Sequence, residues 1–227
     1  MGTQPNPQDR LPYVLLALTA GTGIVDAVSF LGLGRIFTAN MTGNIVFMGF
    51  AAAGVPELSF TRSGLAVLAF LGGAAIGGRG AIAGGTKPTS RWPATAFALE
   101  AALLLAAALA SISIRGPEDL LFGSAVIALT GMAMGIRNAT TRKLAVPGLT
   151  TTVLTMTITS LAADSPLAGG HAARWRVPAV SVLMMLGGAA LGTLLLRSSM
   201  LLALAVCSVV AAAAAAATIG SGLRGSG

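Results

Sequence analysis

The sequence predicts an all-α polytopic membrane protein, and three observations carry that prediction. Of the 227 residues, 55% are hydrophobic and 9% are charged, with a mean hydropathy of +0.84. A soluble domain carries about 25% charged residues, because its surface faces water. The apolar residues also fall into runs near the roughly 20 residues that a helix needs to span about 30 Å of hydrocarbon. Finally, these runs lack the strict period-two alternation of barrel strands. Inside lipid, where backbone groups must be satisfied internally, that leaves helices.

Eight segments follow in order: Leu11–Gly34, Ile36–Gly54, Gly64–Gly85, Ala94–Ile114, Leu120–Arg137, Val146–Ala163, Val177–Leu196 and Met200–Gly220. Together they form one membrane domain over residues 11–220, between a polar tail at 1–10 and a tail at 221–227 expected to be disordered. The first run lacks the basic flank of a signal peptide and is longer than its apolar core, so it is expected to be a retained helix. The connectors carry turn residues, as in Thr86-Lys87-Pro88-Thr89, Arg115-Gly116-Pro117 and Asp164-Ser165-Pro166. Pro93 and Pro178 fall at first turns, where a missing N–H costs least.

The chain repeats itself. Gly23-Ile24-Val25-Asp26-Ala27 matches Gly135-Ile136-Arg137-Asn138-Ala139. Thr38, Met41, Thr42 and Ile45 match Thr151, Leu154, Thr155 and Ile158. Leu71-Gly72-Gly73-Ala74-Ala75-Ile76-Gly77 matches Leu186-Gly187-Gly188-Ala189-Ala190-Leu191-Gly192. The offsets are 112, 113 and 115. Three matches in register argue for a repeat one at 11–114 and a repeat two at 119–220, a mark of transporter folds.

The second and sixth segments are rich in Asn, Gly, Thr and Pro, which weaken a helix. Irregular backbone at membrane depth is tolerated only against protein or a watery cavity. Charge decides between two topologies. Eight plain spans divide the 14 basic residues six against eight, which orients nothing. If the second and sixth segments are re-entrant, Arg35, Arg62, Arg115 and Arg197 share one side and the other ten share the opposite side. That is a positive-inside bias with both termini cytoplasmic. The favoured arrangement is therefore six spans plus two broken segments in two inverted repeats; eight plain spans is the second choice.

Asp26 lies about fifteen residues into the first helix, near mid-membrane at about 1.5 Å per residue. A carboxylate there costs roughly 2.5–3.5 kcal/mol on insertion scales and needs a partner, a watery cavity or a proton. It reads either as a coupling-ion site or as a structural hydrogen bond to Asn40, Asn44 or Asn138. The other expected site residues are Asn138, which holds in repeat two the place of Asp26, and Asn40, Thr42 and Asn44 with Thr151, Thr152 and Thr155, which would line the two broken elements, where half-helix N-termini suit anionic or carbonyl oxygens. Interhelical polar packing is the alternative for all of them. Glu100, counted as seven residues into its segment, is expected near the interface and solvated. Arg137 is expected to snorkel to the cytoplasmic surface, with a counter-ion to Asp26 or an anchor for an anion as the alternatives. Gly73 with Gly77, and Gly188 with Gly192, form Gly-x-x-x-Gly pairs suited to close helix packing.

Cys207 and His171 are the sole residues of their kinds, so no metal site or cofactor is expected. The net charge of +7 mostly punctuates apolar runs and has no aromatic interleaving, so nucleic acid is not an expected partner. No nucleophile and base pair is visible, so no enzyme is expected. The expected function is a small secondary transporter or channel-like carrier with a midplane polar site, in a bacterial cytoplasmic membrane, acting on a small solute or ion, with a homodimer as one option for its assembly. The alternative is a non-transporting subunit that binds a lipid or a membrane partner.

Asp26-Ala27 followed by Phe37-Thr38-Ala39-Asn40-Met41-Thr42-Gly43-Asn44 resembles the signature of the YoaK family of bacterial membrane proteins. A second, looser likeness lies in Gly135-Ile136-Arg137-Asn138-Ala139 with Thr151-Thr152-Val153-Leu154-Thr155. Arg137 and Met156 depart from the Gln and Gly usual at those places. The resemblance covers nearly the whole chain. It implies a multi-pass membrane protein with about six spans and carries no substrate.

Overall fold

The computed structural model describes residues 7–84, 91–116, 119–144, 154–163 and 176–222. They form eight helices: α1 Pro7–Gly32, α2 Met41–Ala52, α3 Phe60–Gly84, α4 Arg91–Ser111, α5 Leu120–Leu144, α6 Leu154–Ala163, α7 Arg176–Ser198 and α8 Met200–Gly222. Six of them, α1, α3, α4, α5, α7 and α8, are long and apolar enough to cross a membrane. The 12-residue α2 and the 10-residue α6 are not. At about 1.5 Å per residue they rise about 18 and 15 Å, roughly half a bilayer core.

Local chemistry interrupts the first half. α1 stops where Gly34 (φ 91°) and Arg35 (φ 58°) turn left-handed. The Arg35 N–H donates to Phe30 O at 3.1 Å, the six-to-one bond of a Schellman ending. α2 closes the same way: Gly54 has φ 93°, and the Val55 N–H donates to Phe50 O at 3.1 Å.

Helix directions follow from close contacts. Gly34, just past the end of α1, lies against the Arg62 side chain near the start of α3. So α3 begins at the end of the bundle where α1 finishes, and α2 enters and returns without crossing. A Cβ on Gly188 would meet Ala20, and one on Gly192 would meet Ile24 and Ala27, so α7 runs parallel to α1. Likewise Gly73 abuts Met132, and Gly77 abuts Ile136 and Ala139, so α5 runs parallel to α3. α5 and α7 are therefore antiparallel, so α7 begins at the end of the bundle where α5 finishes. Eight plain spans are excluded by these directions.

The two glycine contacts are equivalents of each other under the sequence repeat. α1 packs on α7 and α8 as α5 packs on α3 and α4, while α4 meets α8 directly. Gly73, Gly77, Gly188 and Gly192 do the packing expected of them. Gly23 and Gly135 are equally tight, because a Cβ on either would strike the Met185 or Phe70 carbonyl. α1 is central and largely buried, whereas α3 and α7 are peripheral and present Leu68, Leu71, Leu183 and Leu186 outward.

α5 runs two turns beyond the expected end at Arg137, and α4 starts three residues earlier than expected, at Arg91. Both shifts move an ionisable residue toward mid-helix. Arg35, Arg62, Arg115 and Arg197 stand at or just beyond helix ends that share one end of the bundle.

Candidate functional site

Two buried polar centres lie one helical turn apart on α1. The first is built around the break between α1 and α2. Asp26, 6% exposed, accepts a hydrogen bond at Oδ1 from the Ala39 N–H at 3.0 Å, and the Thr38 N–H also faces the carboxyl. The backbone of the unwound stretch takes the place expected for the Asn40 or Asn44 side chain, both of which bond elsewhere. The geometry is that of a carboxyl group seated on the backbone N–H groups that lead into a helix. The Thr38 hydroxyl is fully buried and has no hydrogen-bond partner among the described residues.

Asn44 brackets this stretch. Its Oδ1 accepts from the Phe37 N–H at 2.9 Å, and its Nδ2 donates to Phe37 O at 2.5 Å. Both halves of the amide thus replace a missing backbone partner for one residue. Phe37 stacks on Phe30 of α1 and Phe47 of α2, with ring centroids 5.1 and 5.7 Å apart. Asn40 is the exposed N-cap of α2, with its Oδ1 accepting from the Gly43 N–H at 3.4 Å, and Thr42 is exposed. Asn44→Ala is expected to destabilise the protein by about 1–3 kcal/mol, since it orphans both polar groups of Phe37. Thermal unfolding in detergent, compared with Asn40→Ala (expected to cost about 1 kcal/mol as a lost cap), checks it.

The second centre joins three helices. Arg137 of α5 is 1% exposed and Glu100 of α4 is fully buried. The Arg137 Nε–H donates to Glu100 Oε1 at 2.8 Å, and Nη2 closes a second contact to the same oxygen. Nη1 donates to Leu18 O and Thr22 Oγ1 of α1, each at 2.7 Å. Gly21 of α1 lies beside the guanidinium, and the Cys207 thiol of α8 points to Gly21 O at 3.6 Å. Glu100 Oε2 is buried with no partner among the described residues.

This corrects two expectations. Glu100 is not near a solvated interface: with α4 starting at Arg91 it sits at the middle of the helix. Arg137 does not snorkel, because α5 continues past it and its guanidinium turns inward onto a carboxylate. Neither residue was an expected site residue, and Thr22 was not singled out. The signal for Glu100 was present, since an ionisable residue inside an apolar span is a functional candidate by default. Thr22 was findable as the residue one turn before Asp26 on the same face.

Asn138 is half-buried next to Arg137 and has a partner. Thr151 and Thr152 lie outside the described residues. Thr155 is exposed on α6, and Thr157 is the buried threonine of that helix. The structure therefore gathers Asp26, Thr38 and Asn44 around the first break and does not bring Thr42 or Thr155 inward.

A cavity of about 720 Å³ opens at the end of the bundle where α1 and α4 finish, lined by Arg35, Arg62, Asp119 and Ile127 among others. Phe30 also lines it, one turn beyond Asp26 on α1. Phe30 is thus shared between the cavity lining and the aromatic stack.

Comparison with known proteins places this architecture. The family described as "Protein of unknown function (DUF1275)" matches residues 14–217, all eight helices in whole or in part. The chain belongs to that family. The "UPF0700 transmembrane protein YoaK" of Bacillus subtilis (strain 168) is 38% identical over 154 residues, 66% of this chain and 64% of that protein. The match thus spans a little under two thirds of the relative's length. No solved structure matches. The resemblance drawn from the Asp26 to Asn44 motif names this same family, and the printed name of the relative agrees with a membrane-spanning fold.

Proposed function

We propose that this DUF1275 protein is a small secondary carrier, with its solute or ion taken at mid-membrane beside Asp26. The observation that carries the reading is the interrupted α1–α2 backbone. It holds a buried carboxyl, the backbone N–H groups that donate to it and an unpartnered buried hydroxyl on Thr38 together inside an apolar bundle. Purely structural helices do not require such a break, which is tolerated where backbone meets protein or a cavity. The opposed directions of α1 and α5, and the matching glycine contacts, support two inverted repeats of the kind that rock about a midplane site.

The clustering of Arg35, Arg62, Arg115 and Arg197 at one end supports an orientation with that end outside and both termini in the cytoplasm of a bacterium. The cavity at Phe30 is then the outward approach. Possible homodimerisation through a lipid-facing helix pair is compatible with this reading, which requires neither a cofactor nor an enzymatic step.

The test is reconstitution into liposomes and uptake of a panel of amino acids, sugars, small carboxylates and inorganic ions. At least one is expected to move in wild type, and Asp26→Asn is expected to lower that uptake by ten-fold or more. If no panel member moves, or if Asp26→Asn leaves uptake and its pH dependence unchanged, the carrier reading fails. A stoichiometric membrane partner that copurifies instead would favour the non-transporting alternative.

A further inference from the structure

The two buried centres contain two carboxyl groups and one guanidinium. Thr22, which Arg137 already touches, is one turn before Asp26 on α1, a rise of about 6 Å. With all three groups ionised the cluster carries one surplus negative charge inside an apolar bundle. Arginine keeps its proton in proteins, so any neutralising proton must sit on a carboxyl. Among the described residues, the groups that touch the cluster from its neighbours are uncharged: Leu18 O, Gly21 and Thr22 on α1, and Cys207 on α8.

We propose that Asp26, Glu100 and Arg137 form one proton-binding unit, holding a single proton on whichever acid Arg137 does not pair with. In the structure Arg137 is on Glu100, so the proton is on Asp26. Glu100 meets Arg137 through Oε1 alone; Oε2 is buried and free among the described residues, the place where a proton would be received. When Arg137 moves one turn along α1, the O–H bond at Asp26 breaks and an O–H bond forms at Glu100 Oε2. The guanidinium leaves Glu100 intact and pairs with Asp26. Both end states are neutral, and no electron moves. Gly21 of α1 lies beside the guanidinium, so the path of Arg137 along α1 runs over a helix face of small residues. Two acids sharing one proton in a low-dielectric site is a known physical arrangement. The assignment of this proton as the coupling ion rests on the carrier reading; its presence in the cluster does not.

Infrared difference spectroscopy of the purified full-length protein, comparing H2O with D2O at neutral pH, reads a protonated carboxyl directly. Wild type is expected to show one acid C=O band. Asp26→Asn is expected to remove it, leaving the neutral Arg137–Glu100 pair. Glu100→Gln is also expected to remove it, because Arg137 then takes Asp26 and holds it ionised. The double variant Glu100→Gln/Arg137→Gln, which leaves Asp26 without a counter-charge, is expected to restore the band. Absence of any band in wild type overturns the proposal, as does a band that survives Glu100→Gln in folded protein, which would mean an Asp26 titrating alone. If a panel solute moves in liposomes, both single variants are expected to lose its response to an imposed pH gradient. A retained response in both overturns the coupling role, whereas absence of all flux with the band pattern intact fails the carrier reading only.

Discussion

Gly73→Leu and Gly188→Leu are each expected to abolish accumulation of folded protein. A Cβ on Gly188 would lie 2.9 Å from Ala20 Cα and closer still to its carbonyl, and one on Gly73 would lie 2.9 Å from Met132 Cα. The obstacle in both cases is the backbone of a parallel helix, which cannot move aside as a side-chain tip can. Overpacking a fitted core costs roughly 1–3 kcal/mol, and here the cost should reach or exceed the upper end because α1/α7 and α3/α5 would have to separate. The matched controls are Gly72→Leu and Gly187→Leu, the preceding residues, which have nothing within 4 Å and face outward. Size-exclusion chromatography in mild detergent should give a monodisperse peak for the controls and none for the other two. Equal behaviour of all four would mean that the helices do not approach as described.

Arg137→Leu is expected to cost about 3–5 kcal/mol, the range for removing one partner of a buried ion pair. The loss leaves Glu100 without a counter-charge and Leu18 O and Thr22 without the donor that ties α5 to α1. Replacing the pair together, as Glu100→Leu with Arg137→Met, is expected to recover most of that loss, because a neutral pair of similar volume has no charge to desolvate. Unfolding in graded denaturing detergent measures both. A double variant no more stable than Arg137→Leu would show that the guanidinium stabilises mainly through α1. In that case Thr22→Val should reproduce a share of the loss.

The polar centres differ in how far local sequence reveals them. The Asp26 centre is nearly a local structure. A carboxylate mid-helix, a Gly34-Arg35 stop and an Asn-rich stretch before α2 are all visible within twenty residues, and the partner of Asp26 is only 13 residues away. Its partner atom was not legible, since the expected asparagine side chains and the observed Ala39 N–H differ only in how the unwound backbone curls. The Glu100–Arg137 centre joins residues 37 apart, and its third member is 115 away. Nothing near Arg137 in sequence says whether its flexible stem turns to the surface or to the core. A two-turn error in the end of α5 was enough to choose wrongly.

Composition and run length alone determined that this chain is a helical membrane protein, since 9% charged residues cannot clothe a water-facing surface of this size. The in-register repeats and the basic residues pointed to six crossings with two short returns, because both are long-wavelength patterns that survive ignorance of side-chain detail. Which helices touch, which way they run and where the buried charges meet were decided by tertiary structure. Those depend on glycines that strip a helix face down to backbone and on one arginine finding a carboxylate across the bundle. The Gly-x-x-x-Gly pairs are legible locally, but their partners are not, because such complementarity arises between surfaces far apart in the chain.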